Sequence, residues 1–269
     1  MDYNLQTMRK LLYLILALFI CFLSDGMILK KQIPEKLVVL TFDDATASQY
    51  SVVAPMLKEF RFGATFFVCE FPAKPEEKSA YMTWTQIRDL DQMGFEVANH
   101  TKNHPAVSKL TAEKFIWELH YIENKCDSMG IGKPLSFAYP GYDLSAQVME
   151  TLKGKGYQFA RAGGSRAYDP LMDYPLLIPS WAMNATKKSE IMGALQEAKD
   201  GKIVVLTIHG VPDLIHPWVN TPPELFKEYL NYLSDHHFTV VAMRDLKQYI
   251  NVKEALGTIT PDLNKKFKN

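Results

Sequence analysis

From Leu37 onward the chain alternates short runs rich in Val, Ile, Leu and Phe with longer stretches of helical periodicity, and this alternation limits the fold more than any other feature. The β-rich runs are Lys36–Phe42 (KLVVLTF), Gly63–Cys69 (GATFFVC), Phe95–Asn99, Pro134–Tyr139, Tyr157–Arg161, Leu176–Pro179, Lys202–His209 and Phe238–Met243. Helical patterns cover Val52–Phe60, Thr85–Met93, Ala112–Met129, Ser145–Lys155, Ser189–Lys199, Pro223–Asp235 and Arg244–Ile250, with Thr111 placed to cap the third. Runs such as VVLTF and IVVL are apolar without alternation, as strands covered on both faces of a parallel sheet are. Strand–helix alternation over this length predicts an α/β fold, either a (β/α) barrel or a doubly wound sheet. No internal repeat, low-complexity tract or interior linker divides the chain, so one domain over residues 34–251 suffices. Residues 252–269, ending GTITPDLNKKFKN, are polar and basic and read as a loose tail.

Lys+Arg and Asp+Glu both number 30, so the net charge is zero and nothing in it calls for nucleic acid or an anionic membrane. A neutral partner such as a glycan suits that balance. The N-terminus carries more information. Arg9 and Lys10 precede an apolar run from Leu11 to Leu23, followed by the small residues Ser24 and Gly26. A charged start, a short apolar centre and small residues spell a secretory signal peptide over residues 1–26, and hence a secreted, periplasmic or cell-envelope protein. The run is shorter than the roughly 20 residues of a spanning helix. An uncleaved anchor is the alternative, and the only route to a stable membrane association. Bulky Ile20 before Cys21 argues against lipidation. Beyond the leader, Cys69 and Cys126 read as two buried free thiols rather than a disulfide framework.

In parallel α/β architectures the reactive groups gather at the C-terminal ends of the strands. The first strand runs into Asp43 and Asp44, the third into "HTKNHP" (His100–Pro105), and the seventh into His209. Alone, each is weak: an Asp pair after a strand is often a helix cap, and two histidines four apart share a face only if that stretch is helical. Together they put a carboxylate and two imidazoles on one rim, a ligand set that leaves positions open for water and substrate. The other Asp is then placed to take a water's proton and His209 to give one to a leaving group. Metal, base and acid describe hydrolysis of an ester or amide.

The segments LTFDDAT (Leu40–Thr46), NHTKNHP (Asn99–Pro105), FAYPGY (Phe137–Tyr142), IPSWAM (Ile178–Met183) and LTIHG (Leu206–Gly210) resemble the five successive motifs of the polysaccharide deacetylase family, the NodB-homology group of carbohydrate esterases. The resemblance spans about Lys36 to Tyr249. It implies a distorted (β/α) barrel with fewer than eight strands, of the glycoside hydrolase/deacetylase type. It also implies a catalytic base at Asp43, metal ligands at Asp44, His100 and His104, a general acid at His209, and Leu206 lining the acetyl pocket. The metal is expected to be zinc given two nitrogen ligands, with cobalt, nickel, manganese or iron as alternatives.

Two motifs depart from the pattern. The family's third motif carries an arginine that orients the base and an aromatic residue whose N–H holds the oxyanion; Ala138 and Gly141 stand there instead. Gly141 still supplies an N–H. Arg161, ending another strand, is the candidate replacement for the arginine, against the plainer reading of a surface ion pair. The fourth motif brings a Trp wall, matched by Trp181, and an Asp beside the acid, for which only Asp169 or Asp173 is near. Tyr139, Tyr142 and Trp181 are candidates to stack on sugar rings, with core packing as the alternative. The function expected is removal of N- or O-acetyl groups from a glycan such as peptidoglycan, chitin oligomers or exopolysaccharide. The rivals are a glycan-binding protein with an impaired site and an amidohydrolase acting on a small amide.

Overall fold

A computed structural model describes residues 27–71 and 75–264. Its strands are β1 (Leu37–Phe42), β2 (Thr65–Val68), β3 (Glu96–Asn99), β4 (Ser136–Ala138), β5 (Phe159–Arg161), β6 (Trp181–Ala182), β7 (Val204–Ile208) and β8 (Thr239–Val241). Seven follow the order β5-β4-β3-β2-β1-β7-β6, and every strand pairing is parallel. The ends of this path meet through the segment leading into β6. The Ile178 N–H donates to Ala160 O (2.8 Å) on the β5 side, and its carbonyl accepts from the Ala162 N–H (2.7 Å). Trp181 and Ala182 then pair with Leu206 and Thr207 of β7. The result is a distorted (β/α) barrel of seven staves.

The eighth strand is a wedge rather than a stave. β7 takes one edge of β1 over Val38–Phe42, so β2 and β8 share the other, β8 beside Leu37–Val39 and β2 beside Thr41–Phe42. Gly63 sits where they meet. Its N–H donates to Val240 O (3.1 Å), and a Cβ there would stand 2.8 Å from the Ala242 nitrogen, so only glycine fits.

Strand parity divides the apolar residues into layers. Val39, Phe67, Ala98, Ala138, Phe159 and Val205 pack together inside the barrel, and Met243, Leu246 and Ile250 join the same cluster. Outside, Val38, Leu40, Phe42, Phe66, Leu206 and Ile208 pack with Leu57 of α1 (Ala54–Phe60), Ile87 and Leu90 of α2 (Trp84–Gln92), Ile122 of α3 (Ala112–Ser128), Ile191 of α5 (Lys188–Leu195) and Phe226 of α6 (Pro223–Asp235). A third cluster joins Phe137, Tyr139 and Ala160 to Phe115 of α3 and to Val148 and Leu152 of α4 (Ala146–Gly154). Thr111 accepts from the Lys114 N–H and caps α3.

The structure differs from the sequence reading in three places. Within the expected strand Leu176–Pro179 only Ile178 makes a bridge, and the paired strand begins at Trp181. Pro175 and Pro179 supply no N–H to a ladder there. Arg244–Ile250 is not an α-helix; a 3-10 helix spans Met243–Gln248. Residues 252–269 are not wholly a loose tail, because Val252–Thr258 form helix α7, capped by Asn251, with Ala255 buried in the inner cluster. Cys69 and Cys126 are buried and free. The leader, residues 1–26, lies outside the described residues; among those described, no helix is long and apolar enough to cross a membrane.

Candidate active site

At the C-terminal mouth of the barrel a cavity of about 440 Å³ is lined by Asp43, Asp44, His104, Gly141, Tyr142, Arg161 and His209, among others. Asp43 continues the rim from β1, its N–H donating to Ile208 O at 2.9 Å. Asp44 turns out of the strand at φ 72°, which separates the two carboxylates. His100 follows β3, and His104 comes from the loop beyond it. That loop is not helical: Thr101 (φ 64°) and His104 (φ 52°) lie in the left-handed region.

Buried side chains hold the loop in that strained form. Asn99 accepts the Thr101 N–H through Oδ1 (2.9 Å) and donates through Nδ2 to Leu119 O (3.0 Å) and the Tyr157 hydroxyl (2.8 Å). Thr101 Oγ1 accepts the His104 N–H (3.1 Å), and Glu118 accepts from both the backbone N–H and the side-chain amide of Asn103 (2.8 and 2.9 Å).

One carboxylate oxygen faces both imidazoles. Asp44 Oδ1 stands 3.5 Å from His100 Nε2 and 3.6 Å from His104 Nε2, and the three ligand atoms lie within 4.8 Å of one another. His100 Nδ1 is 2.8 Å from the Ala138 carbonyl, which can only accept, so the neutral ring keeps its proton on Nδ1 and turns the Nε2 lone pair toward Asp44. Two ligand atoms each about 2.1 Å from a tetrahedral ion stand about 3.4 Å apart, close to the spacings found. Burial first, then the charge of His100, lowers the pKa of His104 to about 4 against the opposing pull of Asp44 and Asp43. Its lone pair is therefore free at neutral pH. Burial alone would raise the pKa of Asp44, but the ring of imidazoles around it, His100 first and then His209 and His104, holds it well below the usual carboxylate range. The donor set suits a divalent cation.

Asp43 is differently placed. It is buried, and Arg161 Nη2 donates to its Oδ2 in a close contact, while Oδ1 has no hydrogen-bond partner among the described residues. Gln49 donates to the Asp43 carbonyl. Arg161, itself wholly buried, lies between the rings of Phe67 and Tyr142, 5.5 and 5.3 Å from their centroids. It is not a surface ion pair. Ala138 and Arg161 are register partners on β4 and β5, so the guanidinium stands one strand from the place where the third motif carries its arginine. His209 Nε2 lies 3.6 Å from Asp44 Oδ2.

Residues 30–160 match the family model described as polysaccharide deacetylase. Over that segment the chain belongs to the polysaccharide deacetylase family. Its members are hydrolases acting on N-acetyl groups of glycans. Peptidoglycan-N-acetylglucosamine deacetylase of Bacillus cereus is 29% identical over 174 residues, covering 64% of this chain and 72% of that protein. Among solved structures, Bacillus subtilis PdaA, a family 4 carbohydrate esterase, superposes with a TM-score of 0.56 at 21% identity, over 83% of this chain and 85% of that one. The Xyl-CE4 domain of a multidomain xylanase from the hindgut metagenome of Trinervitermes trinervoides also gives a TM-score of 0.56 at 21% identity, over 79% of this chain and 90% of that one. At such identities the superpositions speak for the fold.

Within this deacetylase fold several expected residues stand elsewhere. Leu206 and Trp181 are paired across β6 and β7 and point outward into the helix-facing core, 0% and 3% exposed, so neither lines the cavity. Strand parity is the reason: Thr207 and His209 share the inner face and Leu206 does not. Ala182, one residue past Trp181, lines the cavity instead. Tyr139 borders the cavity, but its ring is wholly buried and its hydroxyl donates to Leu176 O at 2.9 Å, leaving no face for a sugar. Asp173 pairs with Arg166 (2.6 Å) and accepts the Asp169 N–H (2.9 Å) at a separate surface pocket, so neither aspartate reaches His209. His209 Nδ1 is buried and has no hydrogen-bond partner among the described residues. Gly141 (φ 56°) and Tyr142 do line the cavity. So do Phe71, His216 and Trp218, which the sequence reading missed because they lie in loops without periodicity.

Proposed function

We propose that this chain is an exported, metal-dependent carbohydrate deacetylase that hydrolyses acetyl groups on a polymeric glycan. The observation that carries the reading is the convergence, in one cavity, of an Asp–His–His ligand set with a second aspartate held by a buried arginine. Asp44, His100 and His104 are the ligands. What a divalent cation, zinc first among them, supplies at such a site is polarisation of the acetyl carbonyl and a water of lowered pKa. Asp43 takes the attacking water's proton through Oδ1, the oxygen left free when Arg161 occupies Oδ2. Arg161 positions that carboxylate. The Gly141 N–H donates to the tetrahedral oxyanion. His209 returns a proton to the departing amine or alcohol, leaving acetate and a deacetylated sugar.

The apolar leader supports export, and the likeness to a peptidoglycan-N-acetylglucosamine deacetylase supports an N-acetylated hexosamine polymer as the substrate. The impaired-site reading rested on Ala138, and Arg161 against Asp43 removes that ground. Acetate release from peptidoglycan, chitin oligomers and acetylated xylan, with and without chelator, tests the proposal. Turnover is expected with added zinc and not with chelator, and Asp43→Asn is expected to keep the metal while losing turnover by orders of magnitude. Chelator-resistant turnover, or an Asp43→Asn protein that binds no metal, would refute the assignment.

A further inference from the structure

The loop after His209 forms the outer lip of the cavity and is fixed from within. Asp213, 3% exposed, accepts N–H bonds from Gly210 (3.1 Å), Ile215 (3.2 Å) and His216 (2.7 Å), and Asn220 Oδ1 accepts its own N–H (2.8 Å). A Cβ on Gly210 would stand 2.7 Å from Asp213 Cα, so the turn closes this tightly only with glycine. His216 is held on both sides, Nδ1 3.4 Å from Asp213 Oδ2 and Nε2 3.4 Å from the Tyr81 hydroxyl. Its ring lies 5.7 Å from Phe71 and 5.5 Å from Trp218. Trp218 is 70% exposed although it lines the cavity, an unusual place for so large an apolar surface. Phe71 in turn packs on the ligand His104 at 5.0 Å, which makes the lip continuous with the reaction centre.

A flat, exposed indole braced by a fixed imidazole has the chemistry of a pyranose subsite: the ring face covers the sugar's C–H surface. We infer that Trp218, held in place by His216, binds the sugar unit next to the one being deacetylated, so that the enzyme selects oligomeric over monomeric substrates. This rests on the deacetylase reading above. Trp218 stacks, while His216, tied to Asp213 and the Tyr81 hydroxyl, braces the indole, and Asp213 and His216 are positioning residues.

The test compares the full chain with Trp218→Ala, Trp218→Phe and His216→Ala on an N-acetylated tetrasaccharide and on 4-nitrophenyl acetate, which occupies the acetyl site alone. Trp218 is exposed, so its variants are expected to fold, with circular dichroism as the check. Trp218→Ala is expected to lower kcat/KM on the tetrasaccharide roughly 10- to 30-fold, mainly through KM, as loss of an aromatic anchor does. The loss on 4-nitrophenyl acetate is expected to be smaller by about tenfold, with Trp218→Phe recovering much of it and His216→Ala showing the same substrate split. Equal losses on both substrates, or no loss on the tetrasaccharide, would overturn the subsite and leave the deacetylase reading standing. A wild-type protein that cleaves 4-nitrophenyl acetate but releases acetate from no saccharide would overturn both.

Discussion

Replacing Arg161 with Ala removes the guanidinium held against Asp43. Both groups are buried, Arg161 at 0% and Asp43 at 4% exposure, so the truncation leaves a carboxylate in a site built for a charge pair. Breaking a buried pair by removing one partner costs about 3–5 kcal/mol. Against a typical total of about 5–15 kcal/mol, that is a large share of the stability of a domain. The lost packing between Phe67 and Tyr142 adds to it. Denaturant melts of wild type and Arg161→Ala measure the difference, and acetate release measures the accompanying fall in turnover. The register gives a stronger form of the test. Ala138 and Arg161 are directly paired, on strands about 4.8 Å apart, with Ala138 in the inner cluster. Adding Ala138→Arg to Arg161→Ala is therefore expected to restore part of both stability and rate, whereas adding Ala138→Met is not. An Arg161→Ala protein within about 1 kcal/mol of wild type and equally active would refute the argument.

Further outcomes follow from the same geometry. Glu118→Ala strands the Asn103 N–H and frees the His104 loop, and is expected to cost about 1–3 kcal/mol in a denaturant melt and to weaken zinc binding about 10- to 100-fold by titration. Glu96 lies at the other end of the barrel, where burial raises its pKa against the nearby Ser136 hydroxyl and the hydrogen bonds it accepts from Thr65 and the Arg244 N–H. A carboxyl raised on folding stabilises the protein below its ordinary value, and that stability is lost as pH rises through the folded value. Glu96→Gln is thus expected to gain in Tm relative to wild type as pH climbs from 4 to 8; a constant difference across that range would contradict the placement.

Much of the site was legible because buried strands that end in Asp or His announce themselves: Asp43, Asp44, His100 and His209 each stand directly after an apolar run. Arg161 was legible for the same reason, as the polar end of β5. The outward placement of Leu206 is legible too, since alternation from His209 puts it on the outer face, and Trp181 pairs with it. Helix α7 also carries a signal in the sequence. Val252, Ala255, Leu256 and Ile259 recur at helical spacing behind an Asn cap, and the polar residues around them masked it. The lip was different in kind. Nothing in the order of Phe71, His216 and Trp218 places them together, because their meeting depends on how Asp213 folds its own loop.

The ligand assignment is tested most directly by X-ray absorption at the zinc edge of the metal-loaded full chain. Two imidazoles and oxygen donors at about 2.0–2.2 Å are expected, with one imidazole lost in His104→Ala. Cys69 Sγ lies only 4.0 Å from Asp44 Oδ1, so a sulfur shell near 2.3 Å, or a spectrum with no imidazole scattering, would contradict the account.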